Sequence, residues 1–367
     1  MGAGGEISRT YMNAAEETQS PSGTLVAESP SLGTPLRRVL MGLARFGIGI
    51  GLLIYLVESG LIGFHAMDRL VISWPLAVGA GVLFLCDMGL MAVRLSALFR
   101  PHRLKLSVGS AFRLTMVGQF FTAFLPGGAG GDVAKLYYAT RENRGRRTEI
   151  VTIILFDRAV GMFSLLLLSL LVAPFFLRLI EPSPILSGLL AATAVLAMGL
   201  LAAGAIAVSD FQIRHRLLLW IFERLPGKSH VLRMRETLRS YRRNLGTLAA
   251  AIALGLVGNL MALASTMLIG LAVDPGRIAW PMSFLIPLGD VANSVPLTPG
   301  GLGVGEAAFG LLFSLGRIAH GADILLGWRL VTVIVGMLGL FYYLQGLRRC
   351  VSDSERASLK MPVSSVE

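Results

Sequence analysis

The stretch Leu125 to Asp132, LPGGAGGD, and its later echo Thr298 to Glu306, TPGGLGVGE, decide how the rest of the chain is read. Each lies inside a strongly apolar region, sets a proline ahead of at least three glycines, and then supplies a carboxylate. Hydrocarbon offers no partner for the N–H and C=O groups that a glycine turn leaves open. Backbone of this kind at membrane depth must be buried in protein or line a wet cavity. Both stretches are therefore candidate sites.

Composition supports the membrane setting. Of 367 residues, 54% are hydrophobic and 15% charged, and the mean hydropathy is +0.69, too apolar for an ordinary soluble domain. The net charge of +11 comes from basic residues clustered between apolar runs, where a positive-inside bias places them. The expected partner of that charge is an anionic leaflet and not nucleic acid. Cys86 falls inside an apolar run and Cys350 after the last one, and the five histidines are scattered. No disulfide framework, metal site or cofactor is expected.

Residues 1–36, rich in Ser, Gly, Thr, Glu and Pro, read as a disordered cytoplasmic tail. A first span runs from about Val39 to Val57 and a second from Ile72 to Val93, the latter ending in a basic loop with Arg94, Arg100, Arg103 and Lys105. The next apolar segment, Val108 to Gly131, is broken at Pro126 and has basic loops on both sides, which contradicts a simple crossing. A re-entrant hairpin resolves the conflict, with a second limb starting near Asp132. Spans follow at Ile150 to Phe176 and Ile185 to Val208. The loop 209–246 carries nine basic against three acidic residues, a net of +6 (9 − 3), and is placed in the cytoplasm. Within it Val231, Met234, Leu238, Tyr241 and Leu245 recur at spacings of three and four, which fits either a helix lying on an anionic surface or a solvated basic connector. A span at Leu248 to Val273, a second glycine-broken region from Met282 to Leu315, and a last span at Ile324 to Leu347 complete a membrane domain over 37–348, followed by a cytoplasmic tail at 349–367.

The expected fold is an all-α integral membrane protein of about six transmembrane helices and two re-entrant helical hairpins. Pro126 and Pro299 lie 173 residues apart (299 − 126), which puts the hairpins in opposite halves and, on this topology, in opposite orientations. That is the pattern of an inverted repeat with broken helices meeting near the midplane.

The pair QFFTAFLPGGAGGDVAKLYY and VPLTPGGLGVGEAAFG, in this order and spacing, resembles the flippase-like transmembrane domain of the lysylphosphatidylglycerol synthase family over roughly residues 37 to 348. In synthases of that family the membrane domain is joined to a soluble domain that attaches the amino acid. About 20 residues follow the last span here, so the resemblance implies lipid translocation and argues against lysine transfer. It also implies a bacterial cytoplasmic (inner) membrane, in which six crossings, two hairpins and the loop charges put both termini inside. Related stand-alone proteins accompany hopanoid, glycolipid and polyprenyl-linked pathways, so the cargo does not carry over. Membrane lipids, anionic or isoprenoid-linked, and lipid-synthesis enzymes are the expected partners.

Glycine N–H groups that open a helix can cradle a phosphate. Gly127, Gly128, Gly130 and Gly131, with Gly300, Gly301, Gly303 and Gly305, are candidates for that role or for tight turns and close packing; Pro299, which has no N–H to give, is a candidate only as the head of the second turn. Asp132, followed by Lys135, reads first as an N-cap, whereas Glu306, further into its helix, leans towards a cavity. Asp157 and Arg158 fall about 12 Å from one end of their span and Arg329 about 9 Å from the end of its own. An intramembrane charge costs about 2.5 to 3.5 kcal/mol and normally faces a bundle interior or a wet cavity. Asp87, Arg113 and Asp290 come under the same rule, with snorkelling an alternative for Arg113 and Arg329. Arg158 and Arg329 are expected to serve the two hairpins, either as phosphate partners or in ion pairs with Asp132 and Glu306.

Gly227, Lys228 and Ser229 resemble the end of a phosphate-binding loop, but Phe222 stands where its leading glycine belongs. No ATPase, nucleophile elbow or HExxH motif is present, and no enzymatic activity is expected. The expectation is a lipid translocase. A secondary transporter of a small anionic solute and a scaffold for a lipid-synthesis complex are the alternatives.

Overall fold

The computed structural model describes Glu58 and residues 65–124, 130–143, 145–208, 228–275, 280–294 and 303–358. They form twelve α-helices and no strand: α1 His65–Ile72, α2 Trp74–Phe99, α3 Val108–Phe124, α4 Gly130–Glu142, α5 Arg147–Val172, α6 Leu177–Ile180, α7 Pro184–Val208, α8 Lys228–Ser240, α9 Leu245–Val273, α10 Met282–Asn293, α11 Val304–Leu315 and α12 Gly321–Ser358. Five stretches, carried by α2, α5, α7, α9 and α12, are long and apolar enough to cross a bilayer. The expected first span, the 1–36 tail and residues 209–227 lie outside the described residues.

Local chemistry sets the helix ends. Pro101 and the left-handed Arg103 (φ 54°) close α2. Pro174, which has no N–H to donate, falls in a 3-10 turn at Ala173–Phe176 that joins α5 to α6. Beyond Leu347 no glycine or proline interrupts the chain before Pro362, and α12 continues to Ser358. The expected tail therefore begins as helix.

The side chains identify the solvent. On α7 only Leu186, Thr193, Ala197 and Val208 are buried, while Val195 and Met198 are about 70% exposed (69% and 71%). Such a face is stable against hydrocarbon and not against water.

The core is organised on α2 crossing α9. Ser265 Oγ donates to the Ala80 carbonyl at 2.9 Å, and Gly255 and Gly258 let the helices meet closely: a Cβ at Gly258 would lie 2.5 Å from Asp87 Oδ1. Two helix pairs, α3/α4 and α10/α11, flank this crossing, and they coincide with the limbs of the two expected glycine-broken regions, whose connecting stretches lie outside the described residues. Their packing corresponds: α3 lies on α12 and α10 on α5, while α4 packs on α5 and α11 on α12.

The basic segment before α9 forms helix α8. It is anchored through the 3-10 turn Tyr241–Asn244 that follows it: Tyr241 is fully buried, stacks on Phe156 at 5.0 Å and donates its hydroxyl to the Leu98 carbonyl at 2.7 Å. Arg233, Arg235, Arg239, Arg242 and Arg243 remain on the exposed side.

Candidate functional site

In the first broken unit, α4 opens at Gly130, so Asp132 sits inside the first turn and is not the N-cap. Its carboxylate is free to reach sideways, and it pairs with Arg158 of α5. Lys135 Nζ stands 4.0 Å from the other carboxylate oxygen. The limbs α3 and α4 touch at Gly118 and Gly131. A Cβ at Gly131 would lie 2.3 Å from Thr122 Oγ1 and 2.4 Å from the Gly118 carbonyl oxygen, so close packing accounts for this glycine. Gly131→Ala should lower stability by about 1 to 3 kcal/mol through overpacking. Gly199→Ala, where a Cβ meets open space, should be neutral or stabilising by a few tenths to about 1 kcal/mol. Thermal unfolding of the two variants in detergent makes the comparison, and equal midpoints would refute the packing role.

In the second unit the roles are reversed from expectation. Glu306 is fully buried; one of its oxygens accepts the Gly303 N–H at 2.7 Å, closing the helix start. The other lies 2.7 Å from Arg329 Nε, and Arg329 Nη2 donates to Asn293 Oδ1 at 3.0 Å. Asp290 lies on the same helix as Asn293, three residues before it. The Gly303 N–H is thus already satisfied, and Gly305 is packed against Asn293 and Arg329. Neither is open to a phosphate as the sequence suggested, because the carboxylate three residues on fills the role of the anion. Arg329 does not snorkel either; its side chain is 16% exposed.

The two pairs occupy corresponding places. In each unit the carboxylate in the first turn of the second limb meets an arginine of the following long helix. The carboxylates are 174 residues apart (306 − 132) and the arginines 171 (329 − 158). They differ in access, since the Arg158 side chain is 57% exposed.

A third ion pair went unread in the sequence. Arg94, assigned there to a basic loop, lies within α2 and is buried; its Nε contacts Asp157 Oδ1 at 2.7 Å and its Nη2 contacts Oδ2 at 3.3 Å. The buried Asp157 was the available signal, because a carboxylate inside a span demands a cation, and Arg94 sits at the edge of the preceding apolar run.

A cavity of about 350 Å³ joins these elements. Asp87 and Arg94 of α2, Asp132 and Lys135 of α4, and Asp157 and Arg158 of α5 line it, with Gln119, Asn259 and Ser294 and an apolar part that includes Met88, Met91 and Met162. Of the expected site residues it gathers Gly131, Asp132, Lys135, Asp157 and Arg158. Asp290, Gly303, Glu306 and Arg329 form the separate second cluster. Gly130 begins α4, and Gly127, Gly128, Pro299, Gly300 and Gly301 lie outside the described residues. Across α5 from the charged cavity, an apolar cleft of about 600 Å³ is lined by Leu155, Phe156, Phe163, Leu201, Leu248 and others. Among the described residues no cluster of three or more metal-ligating side chains occurs.

No curated protein matches the chain, and no solved structure does. The model of one family, the lysylphosphatidylglycerol synthase TM region, matches residues 42–339, a span that holds both glycine-rich stretches of the sequence and, among the described residues, the apolar helices around them. The chain is therefore an integral membrane protein of the lysylphosphatidylglycerol synthase transmembrane family.

Proposed function

We propose that this protein is a lipid translocase that moves a phospholipid or lipid-linked headgroup between leaflets, without chemical conversion of the lipid. The observation that carries the proposal is the arrangement around α5: a charged cavity on one side of the helix and an apolar cleft on the other. That division suits an amphiphile whose headgroup needs polar partners while its chains stay in hydrocarbon. A small anionic solute would make no use of the cleft, which favours the lipid over the soluble-anion alternative. On this proposal the two broken units are re-entrant hairpins of an inverted repeat, and Arg158 with Asp132 acts as an exchangeable partner for the headgroup. The setting proposed is a bacterial inner membrane with both termini in the cytoplasm.

The test is reconstitution in liposomes with headgroup-labelled lipids, following exposure to a membrane-impermeant quencher. Wild-type protein should flip one lipid class. Arg158→Gln should retain its abundance and flip on the order of tenfold more slowly, the loss of one charge-assisted hydrogen bond. Flipping unchanged in Arg158→Gln would remove the charged cavity from the path, and absence of flipping for every lipid class would overturn the proposal.

A further inference from the structure

Asp87 stands apart among the charged groups of the cavity. It is 9% exposed, lines the cavity wall, and makes no hydrogen bond or ion pair among the described residues. Asp132 and Asp157, the other two carboxylates there, are both paired. The cation on Asp87's own helix, Arg94, is two turns away and bound to Asp157 by two contacts. Across the crossing, α9 presents Gly258 and the uncharged Asn259, whose Nδ2 donates to the Gly255 carbonyl at 2.9 Å. From α3 the wall receives Thr115 and Gln119, from α4 the pair Asp132 and Lys135, and from α5 Asp157 and Arg158; no residue of α1 or α12 reaches it.

We infer that Asp87 is a proton-binding site whose occupancy sets the charge of the cavity, so that an anionic headgroup and one proton move together. This deepens the translocase proposal and rests on it. With Asp87 ionised, three cations (Arg94, Lys135, Arg158) face three carboxylates and the wall is neutral. With Asp87 protonated, three cations face two carboxylates and the wall carries one net positive charge, which attracts a monoanionic phosphodiester. A carboxylate taken from water without a partner holds its charge only at large cost and is relieved by a proton. The nearby guanidinium groups disfavour a metal cation in its place. The step is a simple transfer: a carboxylate oxygen of Asp87 takes a proton from the water of one side and gives it up on the other, and no bond to the lipid forms or breaks. Because the headgroup carries one negative charge and the proton one positive, the paired movement is electroneutral.

The test uses the full-length protein in liposomes with labelled phosphatidylglycerol, or labelled phosphatidylcholine as the zwitterionic control, under an imposed pH gradient. Labelled phosphatidylglycerol should accumulate in the leaflet facing the alkaline side, by about tenfold per pH unit for one proton per lipid. The same gradient should leave phosphatidylcholine evenly distributed. Asp87→Asn should remove the response to the gradient, and Asp87→Glu should keep it. Active flipping by wild type that ignores the gradient, or that follows a sodium gradient in its place, would overturn the inference and leave the translocase proposal standing. If no probe flips, the translocase proposal falls, and infrared titration of the carboxyl band decides the proton site alone. A protonated-carboxyl band that disappears on alkalinisation and is missing from Asp87→Asn upholds it; a band that fails to titrate, or survives in that variant, overturns it.

Discussion

Arg94→Ala should cost about 3 to 5 kcal/mol of folding stability, the usual consequence of stripping one partner from a buried ion pair. The Arg94 and Asp157 side chains are only 4% and 9% exposed, so the orphaned carboxylate would have little water to turn to. Asp157→Ala should cost a similar amount for the mirror reason. The double replacement Arg94→Met, Asp157→Leu should recover much of the loss, because an apolar pair leaves no buried charge behind. Thermal unfolding of the purified variants in detergent provides the comparison. A single variant as stable as wild type would show that the pair contributes nothing, and a double variant worse than either single one would show that packing and not charge dominates.

Glu306→Ala should be as damaging, through two losses at once. It leaves Arg329 without its carboxylate, again about 3 to 5 kcal/mol, and it uncovers the Gly303 N–H at the start of α11, adding about 1 kcal/mol. Exchanging the charges, Glu306→Arg with Arg329→Glu, should restore the attraction but not the cap, since a guanidinium accepts no hydrogen bond. Partial rescue is therefore the expected result. Asp132→Ala, at the corresponding place in the first unit, should cost no more than about 1 kcal/mol, because the Asp132 to Arg158 pair is exposed to the cavity. It should instead slow lipid flipping. Unfolding midpoints and flipping rates from the same preparations separate the two cases. Equal loss of stability in Glu306→Ala and Asp132→Ala would contradict the difference in burial.

These paired outcomes show why corresponding residues of two similar motifs came apart. In the sequence, Asp132 and Glu306 follow glycine turns alike, and the reading assigned the cap to Asp132 and the cavity to Glu306. The structure assigns them the other way round. Glutamate at the third helical position can fold back to the first free N–H, which the side chain of Glu306 does. Asp132 is also third in its helix and directly follows a glycine, but its side chain is shorter and it finds Arg158 beside it. Which N–H is free depends on where the helix begins, and a proline-glycine run leaves that undetermined by a residue or two.

What the sequence by itself determined is what hydrophobic periodicity and length control: the helical class, the membrane setting, the spans from α2 to α12, and the two breaks where proline and glycine interrupt apolar runs. It also placed Asp87, Asp157, Arg158, Asp290 and Arg329 towards a bundle interior or a wet cavity, because lone charges at membrane depth are expensive. Only the tertiary structure decided which partners they meet there. Arg94 reaches Asp157 from 63 residues away and Arg158 reaches Asp132 from 26, distances set by how α2, α4 and α5 cross and not by local sequence. The same crossings leave Asp87 facing a glycine notch on α9 with no ion pair among the described residues. Burial and pairing are properties of three-dimensional neighbourhoods, and a single chain read in order does not contain them.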